Sequence, residues 1–344
     1  MNKAKISFLL FISFLASMQA QNAIPAISPL SAANDFIKSL TPIQAQEALK
    51  PFDGTERYYW DFVPRTDRTG VIMRSLSDAQ IGKFLKLLVA TAGETTLKTF
   101  NDIRANELIL GKIEGRPDTN THRDPKKYFI QIFGFNDNDQ IWGWKVEGHH
   151  CCLNYTLDGN KVISATPNIA CSNPAVVLSG PLKDKVLLPT ERDLAKSLLV
   201  SLSSEQKSKA IVSPETPKEI INYLKRKALM DDYPGLSFRE LTKDQQSRLK
   251  AIVNYYVMRS SKFFVKDIEG RIEKAGWDKV SFAWLGSEDI TPGHTHYYRI
   301  QGPEFVIEYD NYQNDGNHVH SIFRDVKNDF GDALVEHYQK EHKE

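Results

Sequence analysis

The chain holds nine histidines, and six of them fall in three pairs: His149-His150, His294-x-His296 and His318-x-His320. His122, His337 and His342 stand alone. In a strand, residues i and i+2 share a face, so His318 and His320 predict two imidazoles side by side with Val319 turned away. Neutral imidazole is a good ligand for zinc, copper, iron or nickel, so this pair points to a divalent transition metal. Just upstream, residues 303–310 alternate Glu304, Val306, Glu308 and Asp310 with Phe305, Ile307 and Tyr309. The loop 311–316 turns the chain back, and antiparallel pairing then sets Glu308 or Asp310 opposite His318 or His320. Two imidazoles and one carboxylate leave coordination positions open for water or substrate.

His149-His150 follows Trp142-Gly143-Trp144 and Gly148. Neighbours in a strand face opposite ways, so one of the two joins a given site. His150 is the candidate third metal ligand. His149, Glu308 and Asp310 are the candidate catalytic groups. Arg299, Arg324 and Trp144 are the candidate substrate contacts. An arginine such as Arg324 can grip an anion bidentately, or it closes an ion pair with Asp325. His294-x-His296 follows Thr291-Pro292-Gly293 and reads as a loop. Glycine-framed nucleophile elbows, phosphate loops, His-Glu-x-x-His and dinucleotide-binding patterns are all missing from the sequence.

The elements that must position these groups are legible in outline. Ser77 caps a helix with Ile81, Phe84, Leu85 and Leu88 at helical spacing, and a second helix covers Thr95 to about Leu110. Tyr128–Phe135, Ile141–Val146 and Cys151–Leu157 read as strands separated by the turns 136–139 and 158–160, an antiparallel meander. Helices at 191–202 and 204–212 precede a Pro-containing linker. Then the pattern restarts. Leu76-Ser77-Asp78-Ala79-Gln80 is matched by Leu241-Thr242-Lys243-Asp244-Gln245, and an Asp-Ile pair follows each glutamine after 22 residues. Gly148 matches Gly302, which makes His150 the counterpart of Glu304 and Asn154 of Glu308. The expected architecture is therefore α+β, with two duplicated halves, each a helix pair plus an antiparallel meander. Its divisions are a leader at 1–20, a lead-in at 21–75, halves at 76–212 and 241–344, and a linker at 213–240. Sites form where such halves meet, so His150 is expected to cross the seam to the second-half cluster.

Met-Asn-Lys-Ala-Lys, the uncharged run Ile6–Leu15 and a small-residue end at Ala20 read as a secretory signal. The run is half the about 20 residues a membrane-spanning helix needs. The mature chain is therefore expected to be secreted or periplasmic, without an integral membrane segment. Lys plus Arg number 44 and Asp plus Glu 43. That balance, with no basic run, gives nucleic-acid binding no electrostatic support. Three cysteines, Cys151, Cys152 and Cys171, lie close together in an exported chain, so a bridge from Cys171 to Cys151 or Cys152 is expected.

With these residues in view, the chain resembles an uncharacterised bacterial family, domain of unknown function 3500. The resemblance covers most of the mature chain. It rests on Trp142-Gly143-Trp144, Gly148-His149-His150, Thr166-Pro167, Ser172-Asn173-Pro174-Ala175, Tyr298-Arg299-Ile300, Gly302-Pro303, Glu308, Asn317-His318-Val319-His320, Arg324-Asp325 and Asp329-Phe330-Gly331. The chain departs from the family at its three cysteines. The resemblance supplies no reaction. The residues themselves favour an exported metal-dependent enzyme acting on a small or extracellular substrate. It is hydrolytic with zinc, the favoured ion, and redox-active with iron or copper. A ligand- or metal-binding protein without turnover is the alternative, and a metal-free hydrolase with a histidine base is a third reading.

Overall fold

The computed structural model describes residues 27–117, 119–135, 141–229 and 235–333. The expected leader, the 136–139 turn and the chain beyond 333 lie outside the described residues.

Helices begin where the sequence supplies caps. Thr41, Ser77, Ser203 and Thr242 each stand three residues before a glutamine. In all four the hydroxyl accepts from the glutamine backbone N–H, and the glutamine side chain accepts from the cap N–H. Each reciprocal pair satisfies two donors that a helix start leaves open. The helices are α1 (Pro29–Ile37), α2 (Pro42–Ala48), α3 (Asp78–Ala92), α4 (Glu94–Ile113), α5 (Pro189–Ser201), α6 (Ser204–Ala210), α7 (Lys243–Ser260) and α8 (Val265–Ala275).

The first run of strands is β1 (Leu49–Lys50), β2 (Val71–Ile72), β3 (Tyr128–Phe133), β4 (Ile141–Gly148), β5 (Cys151–Asp158), β6 (Lys161–Ser164) and β7 (Asn168–Ser172). The second is β8 (Ile211–Ser213), β9 (Leu236–Ser237), β10 (Ser281–Gly286), β11 (His296–Gln301), β12 (Phe305–Tyr312) and β13 (His318–Asp325). All join one sheet, in the order β1-β3-β4-β5-β7-β13-β12-β11-β10-β8, with β2 beside β3, β6 beside β5 and β9 beside β10. The fold is α+β, with a mostly antiparallel sheet whose two short edges are parallel. The central contact is the antiparallel pair β7–β13, where residues 29–172 meet residues 189–325.

Strand alternation sorts the side chains. Phe305, Ile307, Tyr309, Val319 and Phe323 join the large core beneath the helices, with Phe84, Leu88, Leu198 and Tyr256. The other face carries buried polar groups, among them Lys145, Glu147, Glu308, Asp310, His320 and Arg324. A polar face can be buried only if its hydrogen bonds are met. Two irregular segments meet them. Residues 51–70 cover the first-half strands, where Lys145 Nζ donates to the carbonyls of Glu56 and Tyr59 at 3.0 and 2.6 Å. Residues 214–229, within the expected linker 213–240, cover the second-half strands, where the N–H groups of Ile221 and Asn222 donate to Glu308 and Arg324 donates to the carbonyls of Asn222 and Arg226.

The expected disulfide is not formed: all three cysteines are buried free thiols. Register gives the reason. Cys152 pairs with Ile169 and Cys151 with Ala170. Cys151 therefore faces the helices, while Cys152 and Cys171 face the opposite side. Cys171 lies two residues along β7 from Ile169, a diagonal of about 7–8 Å between Cα atoms. That exceeds the usual span of a disulfide.

Candidate metal centre

The centre is built from a turn and a strand. His149-His150 form the two-residue connection between β4 and β5, and His150 adopts φ 66°. That left-handed conformation costs a non-glycine residue roughly 1–3 kcal/mol. Neighbours hold it in place: His150 N donates to Phe62 O at 2.7 Å, Cys171 N to His150 O at 2.8 Å, and Tyr128 Oη to His149 O at 2.9 Å. The preceding Gly148 is required by that packing, because a Cβ there would lie 2.5 Å from the Tyr128 ring. On the strand side, β13 alternation turns His318 and His320 to the face opposite Val319. Cys171 pairs with His320 across β7–β13 and bonds His150 at the same time. The seam thus carries His150 to the pair.

The three Nε2 atoms converge. His150 Nε2 lies 2.9 Å from His318 Nε2, and His318 Nε2 lies 3.1 Å from His320 Nε2. Tetrahedral ligands 2.0–2.1 Å from a zinc ion sit about 3.3 Å apart. The rings are only 2, 9 and 3% exposed, in chain order. Burial, with the neighbouring imidazoles adding to it, pushes His318 down to about 2 and holds His150 well below the ordinary histidine value. His150 and His318 are therefore held neutral, the form that binds metal.

Carboxylates frame the rings on two sides. Asp310 lies opposite His320 in the β12–β13 ladder. Glu219, from the covering segment, meets His320 Nδ1 at 2.7 Å. Donation of Nδ1–H to that carboxylate leaves the Nε2 lone pair aimed at the other rings, the usual second-layer support of a metal-bound histidine. A matching dyad lies on the other side: His149 Nδ1 meets Glu107 Oε1 at 2.5 Å. His149 and His150 do not face opposite ways, as strand neighbours would. They occupy the turn and their rings lie against each other, tilted by 30° with centroids 3.5 Å apart. Three overlapping donor groups result: His150, His318 and His320; Glu107, His149 and His150; Glu219, Asp310 and His320. Within each group the donor atoms lie within 4.8 Å of one another. Three imidazoles with flanking carboxylates fit a borderline-soft divalent ion. Asp310 is fully buried, and burial raises its carboxyl to about 8, with the charges of Glu219 and Glu308 adding to the effect.

Other residues singled out from the sequence lie elsewhere. The Glu308 carboxylate accepts from Ile221 N (2.6 Å), Asn222 N (3.1 Å), Asn222 Nδ2 (2.5 Å) and Tyr297 Oη (2.8 Å). Its lone pairs are spent fastening the covering segment to the sheet. Arg324 is fully buried, paired with Asp329 at 2.6 Å and bonded to the carbonyls of Asn222 and Arg226. Asp325 instead pairs with Arg271. Arg299 sits opposite Glu308 on β11, two strands from the histidine strand. Trp144 is a core residue: its ring stacks on Tyr155 at 4.6 Å and its Nε1 donates to Thr91 Oγ1. His296 lies in β11 rather than in a loop, flat between Trp284 and Tyr309. Two residues of the cluster were not foreseen. Glu107 could have been noticed, because it shares the apolar face of α4 with Phe100, Ile103 and Leu110. Glu219 gave no signal, being one acid in an irregular stretch.

Fold and cluster together define an α+β protein with a His/carboxylate centre in the seam of one large sheet. The particular family follows from comparison: the chain belongs to the family described as "Protein of unknown function (DUF3500)", matched over residues 23–332. No curated protein and no solved structure matches it.

Proposed function

We propose that the protein is an exported metal-dependent enzyme of the hydrolase type, with His150, His318 and His320 as its metal ligands. The observation that carries this reading is the convergence of three buried Nε2 atoms from two distant parts of the chain. A divalent ion held there, zinc first and iron or copper as redox alternatives, would act as a Lewis acid and bring the pKa of a water toward about 7. The chain's own groups supply the rest. Glu219 fixes the tautomer of His320. Glu107 meets His149 Nδ1 at 2.5 Å and Arg123 Nη1 lies 3.4 Å from its Nε2; His149, so oriented, is the base that would take a proton at the edge of the cluster once a substrate displaces the guanidinium. Asp310 offers a second carboxyl beside His320, with proton affinity near neutrality.

Elemental analysis of the protein purified from its native compartment tests the reading. One equivalent of metal per chain is expected, lost in the His318→Ala, His320→Ala double variant. A metal-free wild-type protein would overturn it. The low exposure of the rings also suits a binding protein without turnover. His149→Gln separates the two, because an enzyme would keep its metal and lose hydrolysis of its substrates. Export is read from the first 20 residues, and the mature N-terminus measured by mass spectrometry tests it. Among the described residues no helix is long and apolar enough to cross a membrane.

Duplication of one ancestral unit is part of the same proposal. Gln80 Nε2 donates to Ser39 O and Gln44 Oε1, and Gln245 Nε2 donates to Ser201 O and Gln206 Oε1. Equal helix-cap linkages at equivalent places support a common origin for the two halves.

A further inference from the structure

Beside His149 the surface opens into a narrow crevice lined by Arg65, Arg68, Glu107, Asp124, Lys127 and His149. Its charges do not balance. Glu107 is engaged with His149 and lies 4.0 Å from Arg123, and Asp124 is paired with Arg74. Arg65 is paired with Asp61 and Asp67. Arg68 and Lys127 have no carboxylate partner among the described residues. Arg68 is 8% exposed; its Nη2 donates to the carbonyls of Asp61 and Val63, and its Nε has no partner. A buried guanidinium with an unspent donor costs free energy unless an acceptor arrives. Burial, with the charges of Arg68, Arg74 and Arg123, also holds Lys127 below the ordinary lysine value, as expected where positive charge is crowded.

We infer that this crevice binds an anionic head group, a carboxylate or a phosphate, between Arg68 and Lys127, and delivers the adjoining bond of the substrate to His149 and the imidazole cluster. The inference rests on reading that cluster as a reaction centre, and it names the substrate class. Arginine presents paired donors to an oxyanion and lysine adds a point charge, so both chemistries fit the same two residues. The crevice is small, which suits a head group rather than a macromolecule.

Titration calorimetry of the full chain with inorganic phosphate, and in parallel with acetate, tests this at constant ionic strength. It is run on the protein as purified and again after chelation and removal of the chelator. Binding of at least one ion is expected in both preparations. Lys127→Gln should weaken it about tenfold, as should Arg68→Gln where that variant folds. Lys126→Gln, whose partner is Asp78 outside the crevice, should bind as wild type. The inference is overturned if Lys127→Gln binds as wild type, if neither ion binds, or if chelation abolishes binding. That last result would place the anion on the metal. Because the chelated protein is measured too, failure here leaves the metal reading standing. Failure of the metal reading, conversely, leaves this binding measurable.

Discussion

At the scale of single residues, two histidines show how environment assigns a role. His320 and His296 are both buried, but one has a carboxylate on Nδ1 and the other lies between aromatic rings. Supporting carboxylates of this kind typically govern 10–100-fold in metal affinity. Glu219→Gln is therefore expected to weaken metal binding within that range while leaving the unfolding free energy of the chelated protein, from urea melts, within about 0.5 kcal/mol of wild type. Unchanged affinity in a competition titration would remove Glu219 from the centre. For His296, burial pushes the pKa down to about 3 from 6.5. The folded state then binds fewer protons than the unfolded chain between those values. Its contribution is whole above pH 6.5 and is lost as pH falls toward 3. At pH 5 the loss is roughly 2 kcal/mol. His296→Phe should remove that part of the acid sensitivity, so the stability difference between pH 7 and pH 5 should shrink by roughly that amount in urea melts. An undiminished pH dependence would show that His296 is not its source.

At the scale of elements, the helix starts act as joints as well as caps. Gln245 is buried and bridges the start of α7 to the end of α5 and to Gln206 on α6. Gln80 does the same for α3, α1 and α2. Removing such a group leaves a carbonyl and a cap N–H without a partner, at about 1–3 kcal/mol. Gln245→Ala and Gln80→Ala are each expected to lower stability by that amount, equally within about 0.5 kcal/mol if the halves are equivalent. A large effect in only one would contradict the shared role. The cap motif was legible in the sequence because its partners are three residues apart. The bridge was not, because its partner lies about 40 residues away.

At the scale of the whole molecule, the cluster ties the two ends of the chain together. His150 comes from the first-half hairpin, His318 and His320 from the last strand, Glu107 from α4 and Glu219 from the covering segment. A ligand that binds only the folded state stabilises it by about 2.7 kcal/mol at a hundred times its Kd. Chelation should therefore lower the Tm by several degrees, and restoring the metal should reverse the fall. The His318→Ala, His320→Ala variant should show no chelator effect. A wild-type Tm insensitive to chelator would argue against a metal that holds the seam.

The sequence by itself determined what depends on short separations. Alternation in 303–310 and 318–325 sorted Asp310, His318 and His320 from Phe305, Ile307 and Val319, because a strand repeats every two residues whatever surrounds it. The cap signatures at Ser77 and Thr242 marked helix starts for the same local reason. Tertiary structure decided everything that depended on which strand lies beside which. The β7–β13 pairing carried His150 to His318, and the same register kept Cys171 from Cys152. Layering over the polar face spent Glu308 and Arg324 on structure and brought Glu219 to His320. Those outcomes come from packing between residues up to 168 positions apart, and no local pattern encodes a partner at that distance.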